Sequence, residues 1–85
     1  MAEFRVFFKE SAEKDLREIP KKDLSKILHR IKRFSDNPRP SGHEKLTGQE
    51  RYRIRHGQYR IVYSIQDKEV TVWIVKVGQI KDVYR

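Results

Sequence analysis

The sequence predicts an α+β fold with the element order β-α-α-β-β-β, in which two helices pack on one face of a small, mostly antiparallel sheet. Three observations predict it: a short β-rich segment at 3–8, apolar residues at helical spacing between 11 and 35, and alternating side chains from 51 onward. At 85 residues the chain is long enough for one domain over 1–85 and too short for two.

The first half of the chain has the pattern of one strand and two helices. In the segment 3–8, Phe4, Val6 and Phe8 share one face. We expect Ser11 to cap a short helix that Pro20 ends. From 21 to about 35 the apolar residues recur at a spacing that predicts an amphipathic second helix: Leu24, Ile27, Leu28, Ile31 and Phe34.

The second half has the pattern of a loop followed by three strands. The run NPRPSG at 37–42 contains residues that end regular structure. Alternating apolar and polar residues then predict strands at about 51–55, 59–66 and 70–77. Gly57 marks the first turn between them, and the polar run at 66–68 marks the second.

The balance of charge favours polyanionic partners. Lys and Arg number 20 against 12 Asp and Glu, a formal net charge of +8. Clustered cations gain affinity for a phosphate backbone by releasing its counterions, although an ordinary basic surface has the same composition. The chain has no cysteine, which excludes disulfides, a thiolate nucleophile and cysteine-ligated zinc. Without a long apolar run or a signal-peptide pattern, we expect a cytoplasmic protein with no membrane partner.

Arginine side chains are predicted to face one another on the hairpin formed by 51–55 and 59–66. Arg51, Arg53 and Arg55 share one face by alternation, and Arg60 joins them if the turn has an even length. A two-residue turn at 56–57 pairs Arg53 with Arg60, and a four-residue turn pairs Arg55 with Arg60. Like charges directly opposite destabilise a sheet by up to about 1 kcal/mol, so we expect a phosphate to relieve the repulsion. A solvated face of splayed, salt-screened side chains is the alternative, and in both cases we expect Arg60 to be exposed.

Two motifs in this order resemble the RelE/ParE toxin superfamily. The sequence YRIRHGQYRIVY at 52–63, preceded by KLTG at 45–48, resembles its central signature, and VGQIKDVYR at 77–85 resembles its C-terminal motif. The Asn37-Pro38 stop after the helices also matches, so the resemblance covers nearly the whole chain. It implies a RelE-like toxin of a type II toxin–antitoxin pair, which cleaves messenger RNA on the ribosome without a metal or other cofactor.

The resemblance also implies roles for individual residues. The family's basic pair falls on Arg53 and Arg55, its phosphate-clamping arginine on Arg60 and its catalytic tyrosine on Tyr84. Because arginine is such a strong base, it is already protonated near neutral pH and cannot accept a further proton. The three arginines therefore stabilise charge, and Tyr84 is the leading group for proton transfer. Further contacts to RNA are expected from other cations of these segments: Lys45, Arg51, Lys81 and Arg85.

The tail departs from the family pattern at Gln79-Ile80, where many relatives carry His-Arg. This departure favours two alternatives: a ParE-like inhibitor that binds DNA gyrase without chemistry, and a weakened relative that binds only RNA or antitoxin. Each alternative implies a short acidic antitoxin that folds onto the basic surface as a toxin–antitoxin hetero-oligomer. The RelE-like interpretation adds messenger RNA and the ribosome as partners.

The histidines and the carboxylates near these arginines each have a structural interpretation as well as a functional one. His29, His43 and His56 lack the spacing of metal ligands, and we expect no metal site. His56 titrates in the range that suits a proton shuttle, but an ordinary turn residue is the favoured interpretation. Glu44 and Glu50 are outside candidates for a general base, and screening of the arginines is favoured for both.

Trp73 is predicted on the same face as the arginines. A two-residue turn at 67–68 would pair Val62 with Trp73 and Arg60 with Val75, and would leave Val77 on that surface as well. In a functional interpretation Trp73 stacks an RNA base beside the bound phosphate. The neighbouring valines favour instead a core tryptophan or one covered by a partner.

Overall fold

The computed structural model of the protein describes residues 3–46 and 50–80, and it confirms the predicted α+β fold. The predicted elements occur in the predicted order, with one short extra strand between the second helix and the hairpin. Two residues are too few for a recognisable alternation, so the sequence did not reveal this strand. The elements are β1 (Arg5–Phe8), α1 (Glu10–Arg17), α2 (Lys21–Lys32), β2 (Glu44–Lys45), β3 (Arg51–His56), β4 (Tyr59–Gln66) and β5 (Thr71–Gln79).

The five strands form one mixed sheet in the order β1-β5-β4-β3-β2. β1 is parallel to β5, and every other neighbouring pair is antiparallel. The core lies between the helices and one face of this sheet. Its buried residues from the helices are Ala12, Ile27 and Ile31, and those from the strands include Ile54, Ile61, Tyr63, Val72 and Ile74.

The ends of the two helices differ in one respect from the prediction. α1 begins at Glu10 after Lys9, without a side-chain cap, and the Ser11 hydroxyl donates instead to the Val75 carbonyl of β5 at 2.7 Å. Pro20 occupies the N-cap of α2, and its carbonyl accepts from the Leu24 N–H at 2.8 Å. A 3₁₀ turn, Arg33–Ser35, completes the predicted span of the second helix. Neither described helix is long and apolar enough to cross a membrane.

A stack of aromatic rings joins the helices to the hairpin. Phe34 lies 4.3 Å from Tyr63, and Tyr63 lies 5.9 Å from Tyr52, measured between ring centroids. The Tyr63 hydroxyl donates to the Pro38 carbonyl at 2.8 Å, and burial raises the pKa of this phenol to about 12. The loop that follows α2 is therefore anchored to the centre of β4.

A β-bulge in β5 corrects the predicted register of the last two strands. Gln66 pairs with Thr71 and Ser64 with Trp73, and the register shifts between Val62 and Tyr63, so that Arg60 pairs with Gly78. The turn spans 67–70 rather than two residues. The bulge also brings Val77 into the core, where its side chain is 1% exposed; the expectation that Val77 shares the arginine face is wrong, because the extra residue reverses the alternation.

Candidate nucleic-acid interface

The β3–β4 hairpin resolves the two registers that the sequence left open. His56 pairs with Tyr59 around a turn at Gly57 and Gln58, and Arg55 pairs directly with Arg60. Gly57 has φ +61°, in the left-handed region that glycine adopts without steric cost. The hairpin therefore has an even turn and places arginine opposite arginine.

The four predicted arginines lie on one face of the sheet, and we call them the arginine row: Arg51, Arg53, Arg55 and Arg60. Residues paired across a ladder share a face, and Arg51 pairs with Ser64, Arg53 with Val62, and Arg55 with Arg60. The opposite face of the same hairpin carries the buried Tyr52, Ile54 and Ile61. The core thus fixes which side of the sheet the arginine row occupies.

Arg60 is buried, with 8% of its surface exposed, so the expectation of an exposed side chain is wrong. Its partner on β5 is Gly78, which has no side chain. On its other side β3 presents Arg55. A guanidinium removed from water interacts more strongly with an anion than one in bulk solvent. The same burial means that replacing Arg60 can affect folding as well as binding.

Two further members of the arginine row are held by the neighbouring strand β2 and by the hairpin turn. Arg53 Nε donates to Glu44 Oε1 of β2 at 3.2 Å, and this side chain is 28% exposed. Arg55 Nε donates to the Gly57 carbonyl at 3.2 Å. Glu44 thus screens Arg53, which agrees with the interpretation favoured from the sequence, and both guanidinium groups are oriented before any ligand binds.

A loop ion pair that the sequence did not reveal supports this arrangement. Arg39 makes two hydrogen bonds to the carboxylate of Asp67, at 3.1 and 2.9 Å, and a third to the Tyr52 hydroxyl at 3.3 Å. The Arg39 guanidinium holds the pKa of Asp67 below its ordinary value. Arg39 lies in the loop that leads to β2, so the pair fixes the segment that presents Glu44 to Arg53.

The remaining predicted site residues divide into one described residue and three others. Lys45 pairs with Tyr52, whose side chain is in the core, so Lys45 points away from the arginine row. Its role in RNA binding stays a prediction that the register does not favour. Lys81, Tyr84 and Arg85 lie outside the described residues.

Gln79, where the sequence departs from the family pattern, lies on the face of the sheet that packs against the helices. Gln79 pairs with Tyr59 and forms a hydrogen bond with its phenol. Partial burial and a 3.1 Å hydrogen bond to Asp23 raise the pKa of Tyr59 above its ordinary value. The side chain at position 79 therefore does not lie within the arginine row, and the Ile80 N–H donates to the Gln58 carbonyl at 2.9 Å.

The histidines also lie away from the arginine row. His56 lines a cavity of about 410 Å³ on the helix side, together with Lys26 and Tyr59. His43 contacts the Pro40 carbonyl through Nδ1 at 2.8 Å, and His29 is exposed on α2. In the described ranges 3–46 and 50–80, no three His, Asp or Glu side chains group as metal ligands do.

Trp73 shares the face of the arginine row, as predicted, but it lies farther along the sheet. It pairs with Ser64 rather than Val62, and it contacts Phe7 of β1 with 5.1 Å between ring centroids. Lys9 Nζ lies 4.5 Å from the centre of the indole ring. Trp73 is half-buried and is not part of the core.

Several solved structures are similar to this chain over nearly its whole length. A chain in the crystal structure of the toxin–antitoxin complex RelBE2 from Mycobacterium tuberculosis is 27% identical, with a TM-score of 0.83, over 96% of this chain and 97% of that one. A chain in the archaeal RelE–RelB complex from Pyrococcus horikoshii is 28% identical, with a TM-score of 0.80, over 93% and 96%. The isolated E. coli RelE toxin is 27% identical, with a TM-score of 0.78, over 95% and 90%.

The sequence itself matches one protein family and no curated relative. The matching family is described as the ParE toxin of the type II toxin–antitoxin system parDE, and the match covers residues 6–84. No curated protein sequence matches the chain. The family match and the likeness to RelE structures agree with the motifs at 52–63 and 77–85. The chain therefore belongs to the ParE toxin family, within the RelE/ParE toxin superfamily, and is a toxin of a type II toxin–antitoxin system.

Proposed function

We propose that this toxin is a RelE-like endoribonuclease that cleaves messenger RNA on the ribosome without a metal. The observation that carries the proposal is the arginine row, in which Arg55 and Arg60 are directly opposed on the face of the sheet opposite the core. Guanidinium groups donate two parallel hydrogen bonds to phosphate oxygens. A phosphate between opposed arginines replaces their repulsion with two favourable interactions.

The proposed reaction is attack by a ribose 2′-oxygen on the adjacent phosphorus. The 2′-hydroxyl loses its proton to a solvent water, a P–O2′ bond forms, and the bond from phosphorus to the 5′-oxygen breaks. The leaving 5′-oxygen takes up a proton, so the products are a 2′,3′-cyclic phosphate and a 5′-hydroxyl. The negative charge that develops on the phosphorane is the feature that fixed cations stabilise.

The roles of the residues follow from their chemistry. Arg60 and Arg55 stabilise the phosphorane, and Arg53 contributes while its charge is partly screened by Glu44. Arginine remains protonated near pH 7, so proton transfer to the leaving oxygen is assigned to the phenol of Tyr84. Lys81 and Arg85 are assigned to the RNA backbone together with Arg51.

The proposed partner is a short acidic antitoxin. The M. tuberculosis, P. horikoshii and E. coli relatives were solved as toxin–antitoxin complexes, and the net charge of +8 suits an acidic segment that folds on binding. Such a segment on the arginine row would compete with messenger RNA for the same cations.

Charge-matched variants test the nuclease. Arg60→Gln removes the charge and keeps a similar length, whereas Arg17→Gln removes the same charge from an exposed position at the end of α1. Primer extension on translated message should show that Arg60→Gln cleaves at least about 100-fold more slowly, the loss typical when one charge-stabilising donor is removed. Arg17→Gln should cleave like the wild type.

Folding must be measured in the same variants because Arg60 is buried. Arg60→Lys keeps the charge but loses the bidentate geometry, and its circular dichroism and thermal unfolding report whether the sheet survives. A folded Arg60→Gln protein that cleaves message at the wild-type rate would refute the assignment.

A second candidate function is inhibition of DNA gyrase without chemistry. The observation in its favour is the family match, whose description names a ParE toxin. A gyrase inhibitor should leave transcripts intact and cause cleaved DNA to accumulate in cells that express the toxin. An RNA nuclease should instead leave DNA intact and produce message fragments with cyclic-phosphate ends.

A further inference from the structure

The face that carries the arginine row also has a groove beside Trp73, formed by residues of β3, β4 and β5 and by Lys9. The groove has a volume of about 310 Å³ and is lined by Lys9, Arg51, Ser64, Gln66 and Trp73, among others. We call it the Trp73 groove. None of these residues has a role in the reaction proposed above except Arg51, which connects the groove with the arginine row along β3.

Aromatic surface is exposed to solvent beside the Trp73 groove, where Phe7 of β1 contacts Trp73. The rings of Phe7 and Trp73 lie 5.1 Å apart at an interplanar angle of 32°, and Phe7 is 40% exposed. Both residues have core-facing neighbours along their strands, so their rings are held by the sheet. A rigid aromatic pair on an open surface offers a stacking platform to a planar ligand.

The surroundings of the aromatic pair are cationic. Lys9 Nζ lies 4.5 Å from the Trp73 ring centre, and Arg5 Cζ lies 5.7 Å from that of Phe7. Glu50 is the acidic residue among those that line the groove. Within 3–46 and 50–80, no ion pair involves Arg5, Lys9 or Arg51.

Aromatic rings, cations and neutral polar groups together match a nucleotide better than an acidic peptide. Carboxylates would satisfy the cations but leave the ring faces unused, whereas a nucleotide has both a phosphate and a planar base. Ser64 and Gln66 add a hydroxyl and an amide, which form hydrogen bonds with the edge of a base. We propose that the Trp73 groove binds one unpaired nucleotide of the RNA strand that crosses the arginine row, a proposal that rests on the function given above.

The geometry of the sheet determines which nucleotide this is. Ser64, beside Trp73, is four residues from Arg60 along β4, about 13 Å at the usual rise of a strand. Neighbouring stacked nucleotides are only about 3.4 Å apart. The base on Trp73 therefore belongs to a nucleotide farther along the strand, outside the two that the cleaved linkage joins, and hydrogen bonds from Ser64 and Gln66 let the groove select sequence context.

Lys9 lies over the ring that the base would use, and its exposed side chain allows exchange. The ammonium group is on a flexible stem, so it moves from the indole to the phosphate of the incoming nucleotide. The cation–π contact of the free protein is then replaced by base stacking and a charge-assisted hydrogen bond.

Trp73 is the only tryptophan of the sequence, so its fluorescence reports directly on stacking. The full chain is titrated with a hexamer of 2′-O-methyl uridine, which lacks the attacking hydroxyl and stays intact, and with a 2′-O-methyl sugar-phosphate hexamer that has no bases. We expect the uridine hexamer to quench the fluorescence and to bind about tenfold more tightly than the abasic hexamer. Equal affinities without quenching would overturn the proposal.

Substitutions separate the ring from the charge. By anisotropy of a labelled uridine hexamer, Trp73→Leu should bind about tenfold more weakly and Trp73→Phe should stay close to wild type, because phenylalanine keeps a ring for stacking. Lys9→Gln should weaken binding, whereas Lys14→Gln, with the same charge change on the exposed face of α1, should not. A Trp73→Leu protein that is folded and binds like wild type contradicts the proposal.

Three outcomes distinguish this site from its alternatives. Quenching by a polyglutamate peptide but not by the uridine hexamer would identify an acidic-peptide site and overturn the nucleotide proposal. Quenching by the uridine hexamer in a protein that cleaves no message would support nucleotide binding in the Trp73 groove and refute the proposed nuclease activity. If the wild type cleaves message without quenching by the hexamer, and Trp73→Leu cleaves with the same sequence preference, the nuclease activity is supported and nucleotide binding in the Trp73 groove is refuted.

Discussion

Arg39 illustrates how a single side chain outside the arginine row helps to build it. Its guanidinium bridges the loop after α2 and the β4–β5 turn through Asp67, and it lies 5.3 Å from the ring centre of Tyr52. The loop between these contacts leads to β2, from which Glu44 reaches Arg53. By holding this loop, Arg39 positions Glu44, whose carboxylate partly screens Arg53 of the arginine row.

The Arg39–Asp67 pair predicts a pH dependence of stability. Arg39 lowers the pKa of Asp67 from its ordinary value of 3.8, so the folded state favours the charged carboxylate. This contribution is fully present above the ordinary value and is lost as pH falls through the lower folded pKa. The urea midpoint of Asp67→Asn should lie below that of the wild type at pH 7, and the difference should shrink as the pH is lowered below 3.8.

A neighbouring carboxylate provides the control for this prediction. Glu69 is exposed in the same turn and contributes its backbone carbonyl, not its carboxylate, to a hydrogen bond with Thr71. Glu69→Gln should therefore leave the urea midpoint unchanged at pH 7. A difference between Asp67→Asn and wild type that persists undiminished at pH 3 would show that the side chain acts through something other than its charge.

At the residue scale, sequence reasoning identified the arginines but not their environments. Alternation was enough to place Arg51, Arg53 and Arg55 on one face, and the even length of the turn adds Arg60 to them. It gave no indication that Arg60 is buried or that Arg39 reaches Asp67, 28 residues away. Burial and long-range pairing depend on the packing of several elements, which local patterns do not encode.

At the scale of elements, helix α1 completes the edge of β5 where β1 ends. β1 pairs with β5 only as far as Ile74. Beyond that point the Ser11 hydroxyl donates to the Val75 carbonyl at 2.7 Å, and the Val77 N–H donates to Asp15 Oδ2 at 3.0 Å. The side chains of Ser11 and Asp15 therefore form the hydrogen bonds to β5 that a longer β1 would otherwise form.

Removing the Asp15 carboxylate should destabilise the fold measurably. Asp15→Ala leaves the Val77 N–H without its acceptor and ends the 3.7 Å ion pair with Lys76. A partly buried donor left unpaired costs about 1–3 kcal/mol, which urea unfolding of the variant measures. Asp15→Asn keeps an acceptor oxygen and should lower the free energy of unfolding by less. Glu13→Ala, at an exposed position on the same helix, should lower it little.

The elements themselves were predictable where their period is strong. The amphipathic helix and the hairpin strands occur within a few residues of their predicted positions because each repeats its pattern over several turns or pairs. The bulge in β5 was not predicted, since Val72, Ile74 and Val77 all enter the core at a spacing that no regular strand allows. The cap expected of Ser11 failed because its hydroxyl binds β5 instead.

At the scale of the whole molecule, the distribution of charge predicts how RNA binding responds to salt. Each phosphate contact to a single strand contributes about −0.7 to the slope of log affinity against log salt. Four contacts from the arginine row should contribute about −3 to this slope. Arg51→Gln should reduce the steepness by about 0.7, whereas Arg17→Gln should not change it, as measured with the 2′-O-methyl hexamer over a salt series. An unchanged slope in Arg51→Gln would remove that arginine from the RNA contacts.

The strand order has a consequence for how the protein is synthesised. The first strand hydrogen-bonds to the last, with Arg5 beside Thr71 and Phe8 beside Ile74, and β5 is also the strand that connects β1 to the hairpin. Contacts between such distant segments of the chain form late in folding. A nascent chain that stops before residue 71 therefore has no route to this sheet, and β1 stays unpaired until residues 71–74 have been synthesised.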